Sequence, residues 1–203
     1  MKAISDGRVL VKALKNSAGD PKASLSLSVG TPPVARLRPV GTHSGRIAPR
    51  DVANLTRWRN RFVHSFLTQF RATEPRTKEW LTRIVGPDNG RILFMADDLR
   101  GRTFGYLGLA FIDWKNRSGE ADAIVRGGPA RKGTMRKALA TLLAFAQGSL
   151  GLTRLGVRVR ADNPGALRFY RSLGFKETRR VPVQRLGTAL VHMRLVRRAG
   201  SRA

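Results

Sequence analysis

Asn163, Ala166 and Tyr170 fall three and four residues apart in VRADNPGALRFYRSLGF, residues 159–175. Asn163 is a good helix N-cap, since its side-chain oxygen can accept from an amide of the first turn. Pro164 suits the first helical position, and Gly174 suits a left-handed stop. Seven residues are almost two turns, so the Asn163 amide and the Tyr170 phenol point along one face, with the Ala166 methyl nearly in line between them. Either these groups face a ligand, or they belong to a capped helix whose buried tyrosine finds a backbone acceptor.

A second group lies in IVRGGPARKGTMRKAL, residues 124–139. Gly127, Gly128 and Gly133 let the backbone bend and let a ligand come close. Arg126, Arg131, Lys132, Arg136 and Lys137 surround a strand-to-helix junction whose first amides have no partner within the helix. A helix N-terminus in a basic, glycine-containing loop is a good anion site. The spacing is neither a P-loop nor a dinucleotide fingerprint, and a solvated, charged turn is the competing reading. A third pair, Glu120 and Asp122, stands two apart in EADAIVR, so both side chains share one strand face. Either can take a proton directly or through a water, or both are ordinary surface acids. His43, His64 and His192 have no metal-ligand spacing, so no metal site is expected.

The elements that must position these groups follow from periodicity. Alternation predicts strands at 34–40, 91–98, 103–114, 120–126 and 152–162, with two more in FKETRRV and TALVHMRLV. Helices are predicted from a cap at Asp51 through Phe62, from a cap at Thr73 through Val85 burying Trp80, Leu81 and Ile84, from Gly133 to Phe145, and after Asn163. The order mixes a meander with crossovers, so the expected class is α+β (mixed α/β). Residues 1–33 are rich in small, polar and breaking residues and are expected to form a flexible basic arm. The folded domain is expected over 34–197, with a basic tail at 198–203.

The chain has 203 residues with no cysteine, which excludes disulfides and a cysteine-linked acyl intermediate. With no signal peptide and no membrane-spanning run evident, a cytoplasmic location is expected. Thirty-nine Lys and Arg face thirteen Asp and Glu. Such a field attracts polyanions, including nucleic acid non-specifically. Arg outnumbers Lys 30 to 9, a bias that GC-rich coding also produces.

Together the two unusual stretches resemble the GNAT superfamily of N-acetyltransferases. The family pattern Asn-x-x-Ala-x-x-x-Tyr-x-x-x-Gly-Phe is complete as Asn163, Ala166, Tyr170, Gly174 and Phe175. The upstream loop, Arg/Gln-x-x-Gly-x-Gly/Ala, aligns with Ala130, Arg131, Lys132, Gly133, Thr134 and Met135, where only Gly133 matches. The resemblance covers roughly residues 34–197. It implies a central mixed sheet of six to seven strands with about four helices. It also implies acetyl-CoA as co-substrate and direct attack by an amine in a ternary complex. By this resemblance Asn163 binds the pantetheine arm, Ala166 leaves room for it, and Tyr170 reaches the sulfur as general acid. Ile124, Val125 and Arg126 lie on a bulged strand beside the thioester. Arg131, Lys132, Gly133, Thr134 and Met135 hold the pyrophosphate, mainly through backbone amides, and Arg136 or Lys137 reaches the 3′-phosphate.

A narrower likeness rests on Trp58, Arg59, Asn60 and Trp80. These residues look like the early region of GNAT enzymes that acetylate nucleotide-linked amino sugars, including those of the pseudaminic acid pathway. It implies an amino-sugar acceptor facing Arg59 and Asn60. Acetylation of a protein N-terminus, as in ribosomal-protein acetyltransferases, and an inactive nucleic-acid-binding GNAT scaffold are the alternatives. Expected partners are acetyl-CoA, a small amine and, as a homodimer, a second copy of the chain.

Overall fold

A computed structural model describes residues 6–20 and 25–196. The chain runs α1 (Gly7–Ser17), β1 (Leu27–Val29), β2 (Ala35–Pro39), α2 (Pro49–Arg61), α3 (Glu74–Trp80), β3 (Ile92–Asp98), β4 (Thr103–Asp113) and β5 (Ser118–Arg126). It continues through α4 (Thr134–Gly148), β6 (Arg154–Arg160), α5 (Pro164–Ser172), β7 (Phe175–Val183) and β8 (Thr188–Leu195). The strands form one mixed sheet in the order β1-β2-β3-β4-β5-β6-β8-β7. The α+β expectation holds, with eight strands and five α-helices among the described residues.

Helices cover both faces and divide the core. Leu139, Leu142 and Ala146 of α4 pack with Phe94, Leu107 and Phe104 in the larger cluster. This is the stripe that the helical spacing in the sequence predicts. Trp58 and Leu55 of α2 pack with Leu81, Met95 and Tyr106 in the other, where the Trp58 and Tyr106 rings stack at 6.2 Å.

One junction controls the site. β5 and β6 are parallel and pair only at Ser118–Arg154, Gly119–Leu155 and Glu120–Gly156. Beyond that point β6 continues against β8 alone while β5 continues against β4. In β5, Ala123 and Ile124 together oppose Leu107, since Asp122 pairs with Gly108 and Val125 with Tyr106. This is a β-bulge, and Ala123 takes a left-handed φ of 54°. The ladder therefore opens where the bulge turns backbone groups out of the sheet.

Four expectations need correction. Part of the segment expected as a flexible arm is folded. Asp6 caps α1, Val11 and Leu14 sit in the larger core, and β1 extends the sheet. The Lys15 ammonium donates to the carbonyls of Val85 (2.6 Å), Gly86 (3.3 Å) and Asp88 (2.6 Å). The breaker-rich residues after Ser17 hid an eleven-residue amphipathic helix before them. The tail expected at 198–203 lies outside the described residues.

Second, Asp51 does not cap α2, which begins at Pro49 after Ala48. Its buried carboxylate instead takes both terminal nitrogens of Arg38, at 2.8 and 3.0 Å. Third, Ile84 is exposed and Trp80 only half-buried, while Leu81 and Val85 are buried. Residues Leu81–Val85 form a π-helical turn, whose wider winding shifts the phase of the buried face. Fourth, Gly127 is needed for packing, because a Cβ there would lie 2.0 Å from the Trp58 indole. Gly133 keeps the role of a bend. It caps α4 at a φ of 84°, with open space where a Cβ would stand.

Candidate active site

Between the parting ends of β5 and β6 lies a cavity of about 210 Å3. Asp122 to Arg126 line one wall and Val157 to Val159 the other. The row read from the sequence closes it, since Asn163, Ala166 and Tyr170 all face this space. Each is placed by α5. The Asn163 Oδ1 accepts from the Ala166 amide at 3.0 Å, which caps the helix and leaves the Nδ2 donors for the cavity. Tyr170 is buried edge-on between Phe169 and Phe175. Burial pushes its phenol well above the usual range, and the charge of Asp122 adds to the effect. The hydroxyl therefore stays protonated at neutral pH.

None of the loop residues 131–136 read from the sequence lines this cavity; β5 leaves its wall at Arg126, and the chain runs on to Gly133, which opens α4. Thr134 donates to the Arg131 carbonyl at 3.1 Å and Lys137 to that of Gly133 at 3.0 Å, whereas among the described residues the Met135 and Arg136 amides have no backbone acceptor. Arg131 and Lys132 are exposed beside them. The result is a helix tip with free N–H groups, a positive dipole end and two cations. Met135 contributes by backbone alone, because its side chain is buried in the larger core. The Val125 side chain packs with Trp58 and Tyr106, so its reach to the cavity is also through backbone. Arg136 ties α4 to the Ser172 carbonyl at 2.9 Å.

A larger cavity of about 720 Å3 adjoins the first, and the two share Phe66, Leu67, Asp122, Ala123 and Arg158. Asp122 thus stands at the junction. Its carboxylate takes Arg91 Nη1 at 3.2 Å, and Glu120, which faces only the smaller cavity, takes Arg158 Nε at 2.7 Å. Six arginines line the larger cavity, at 59, 76, 83, 91, 158 and 185, against two carboxylates, Glu79 and Asp122. Tyr106 lines it too, and its burial pushes the phenol up.

Arg59 enters this cavity, as the sequence suggests, with its guanidinium between the Phe66 and Phe70 rings at 4.2 and 4.3 Å. Asn60 does not. Its amide bonds both the N–H (2.7 Å) and the carbonyl (3.0 Å) of Ala72, and so pins the loop after α2. Asn60 points to that loop because it is one residue on from Arg59, about 100° around the helix. Sequence reasoning missed Arg158, Arg91 and Phe111. The alternation of β6 put Arg158 on the polar face, which was a usable signal. Phe111 had none, because a bulge with a φ of 53° turns it outward and beneath both guanidiniums.

Comparisons with known proteins give the family and the fold. The family model described as "Acetyltransferase (GNAT) domain" matches residues 46–176. Among solved structures, spermidine N-acetyltransferase from Vibrio cholerae in complex with CoA and spermine is 19% identical. That match has a TM-score of 0.64 and covers 73% of this chain and 90% of the other. A chimera of Vibrio cholerae SpeG and hSSAT is 20% identical at a TM-score of 0.63, over 74% of this chain and 92% of that one. No curated protein sequence matches. At such identities the structural likeness is one of fold.

Proposed function

We propose a reaction for this chain from the premise that it belongs to the GNAT acetyltransferase family. It transfers the acetyl group of acetyl-CoA to the primary amine of a small molecule, which we take to be an amino sugar, nucleotide-linked in its physiological form. The observation that carries this is the opening between β5 and β6. There a bulged strand and the Asn163-Ala166-Tyr170 row line one space, and the strand leads from its wall at Arg126 toward the tip of α4.

Acetyl-CoA supplies the activated carbonyl and a thiolate leaving group. The residues present suit it. Free amides of Met135 and Arg136, with Arg131, Lys132, Gly133 and Thr134 around them, suit the diphosphate. Asn163 Nδ2 donates to the pantetheine arm, and Ala166 leaves it room. Backbone N–H groups at the bulge, from Ile124 to Arg126, polarise the thioester carbonyl, and one such donor is typically worth ~10²–10³ in rate. Tyr170 holds a proton at Oη for the departing sulfur. A phenol kept neutral by burial is a weak acid, so it acts chiefly as a hydrogen-bond donor to the developing thiolate.

Between the two carboxylates, Asp122 is the better placed to receive the amine, since it alone faces both cavities. Glu120 orients Arg158 and stays the second candidate for proton removal. Arg59 lines the acceptor cavity. The test is thiol release from acetyl-CoA across amino sugars, nucleotide-linked amino sugars, polyamines and peptides. Turnover with a sugar amine is expected. Turnover confined to peptides would replace this acceptor class with protein N-termini.

A further inference from the structure

The larger cavity has two basic ends that differ in how their charge is balanced. Next to the smaller cavity, Arg91 and Arg158 lie over the Phe111 ring at 5.5 and 4.5 Å, and each is paired with a carboxylate, Asp122 and Glu120. These charges cancel. Elsewhere along the wall, the Phe70 ring carries Arg59 at 4.3 Å and Arg76 at 5.0 Å. Among the described residues no carboxylate comes within 4.0 Å of either guanidinium.

Arg59 donates from Nη2 to the Thr68 carbonyl and hydroxyl, at 2.6 and 3.0 Å, yet its Nε is buried with no acceptor. Arg76 makes one long contact, 3.4 Å to the Arg71 carbonyl. Two cations held on one aromatic ring repel each other. A buried donor without an acceptor adds the cost of its lost hydration. An anion in the cavity that reaches the terminal nitrogens of both guanidiniums balances the two charges.

We infer that Arg59 and Arg76, mounted on Phe70, form a subsite for a phosphate or diphosphate carried by the acceptor. The acceptor is then an amine with an acidic phosphoryl group, and a polyamine is disfavoured. This deepens, and rests on, the reading of the larger cavity as the acceptor site. The planar guanidinium fork matches phosphoryl oxygens in pairs. A polyamine, cationic along its length, would meet six arginines against two carboxylates in this cavity.

Two measurements decide it. In the first, kcat/KM is compared for glucosamine, glucosamine 6-phosphate, UDP-glucosamine and spermidine. One of the two phosphorylated amines should exceed glucosamine and spermidine by about tenfold or more, the ratio one charge-assisted hydrogen bond supports. The two arms separate a monophosphate from a nucleotide diphosphate. In Arg76→Gln that preference should shrink by about tenfold, and Arg76→Glu should reverse it toward spermidine. A wild-type preference for spermidine, or one untouched by Arg76→Gln, overturns the subsite.

In the second, inorganic pyrophosphate is titrated into protein saturated with coenzyme A, which blocks the helix tip. The Arg59→Gln, Arg76→Gln double variant should bind it at least about tenfold more weakly than wild type. Equal binding also overturns the subsite, while acetyl transfer would stand. If acetyl-CoA neither binds nor reacts, the acetyltransferase reading falls instead; the pyrophosphate titration is then run without coenzyme, and the difference between wild type and the double variant, whose helix tips are identical, still decides the subsite.

Discussion

Tyr170 concentrates the chemistry in one hydroxyl. Its ring is held between Phe169 and Phe175, so Tyr170→Phe removes the proton donor without opening a cavity. The variant should lose kcat by about a hundredfold and keep its affinity for acetyl-CoA within the error of a titration. An unchanged kcat would remove the phenol from the reaction. Because burial raises the phenol, deprotonation of Tyr170 should produce no fall in kcat between pH 7 and 9. A second contrast separates the carboxylates. Asp122→Asn should reduce kcat more than Glu120→Gln, since only Asp122 borders both cavities, and the opposite order would move the amine toward Glu120. At this scale the sequence was most legible where chemistry and local structure coincide. Asn163 was readable as a cap, because its oxygen takes the Ala166 amide, and as a residue facing the cavity. Asn60 was misread because an exposed helix end does not reveal that its amide closes a loop twelve residues on.

The elements around the site are fixed by a few contacts that sequence periodicity cannot see. Gly127 brings the end of β5 against the Trp58 indole. Gly127→Ala should destabilise the fold by about 1–3 kcal/mol, the usual cost of overpacking a well-filled site, and thermal denaturation measures it. Lys15 joins α1 to the π-helical turn that borders the larger cavity. Burial pushes its ammonium down to about 8, with Arg91 adding to the effect and Asp88 opposing it. Between that value and 10.5 the unfolded chain holds the proton and the native chain does not, so this group makes stability rise with pH across that window. Melting temperatures of wild type and Lys15→Met, followed from pH 7 to 10.5, should converge or diverge accordingly, with wild type gaining on the variant above pH 8. Parallel curves would show that Lys15 titrates as an exposed amine. The strands, α4 and α5 were legible because each buries a periodic face. The π-helical turn was not, because its winding breaks the 3.6-residue period and so exposes Ile84. Helix α1 was hidden by the polar residues that follow it.

For the molecule as a whole, order of elements sufficed for the class, while the strand count depended on a three-residue edge strand too short to register as a pattern. No helix among the described residues is long and apolar enough to cross a membrane. The net charge of +26 exceeds what one diphosphate and one phosphorylated acceptor require. Binding to duplex DNA or RNA should therefore be diffuse and fall at least about tenfold between 50 and 200 mM salt. Salt-resistant binding would assign the excess to a specific nucleic-acid site. The claim on which the rest depends is that the space between β5 and β6 receives acetyl-CoA. Ala166 lines that space and is only half-buried, so Ala166→Phe fills it with little disturbance to the core. Calorimetric titration of acetyl-CoA into the two proteins is the most direct test. The account predicts saturable binding to wild type and its loss in a folded Ala166→Phe protein, and equal binding to both would contradict it.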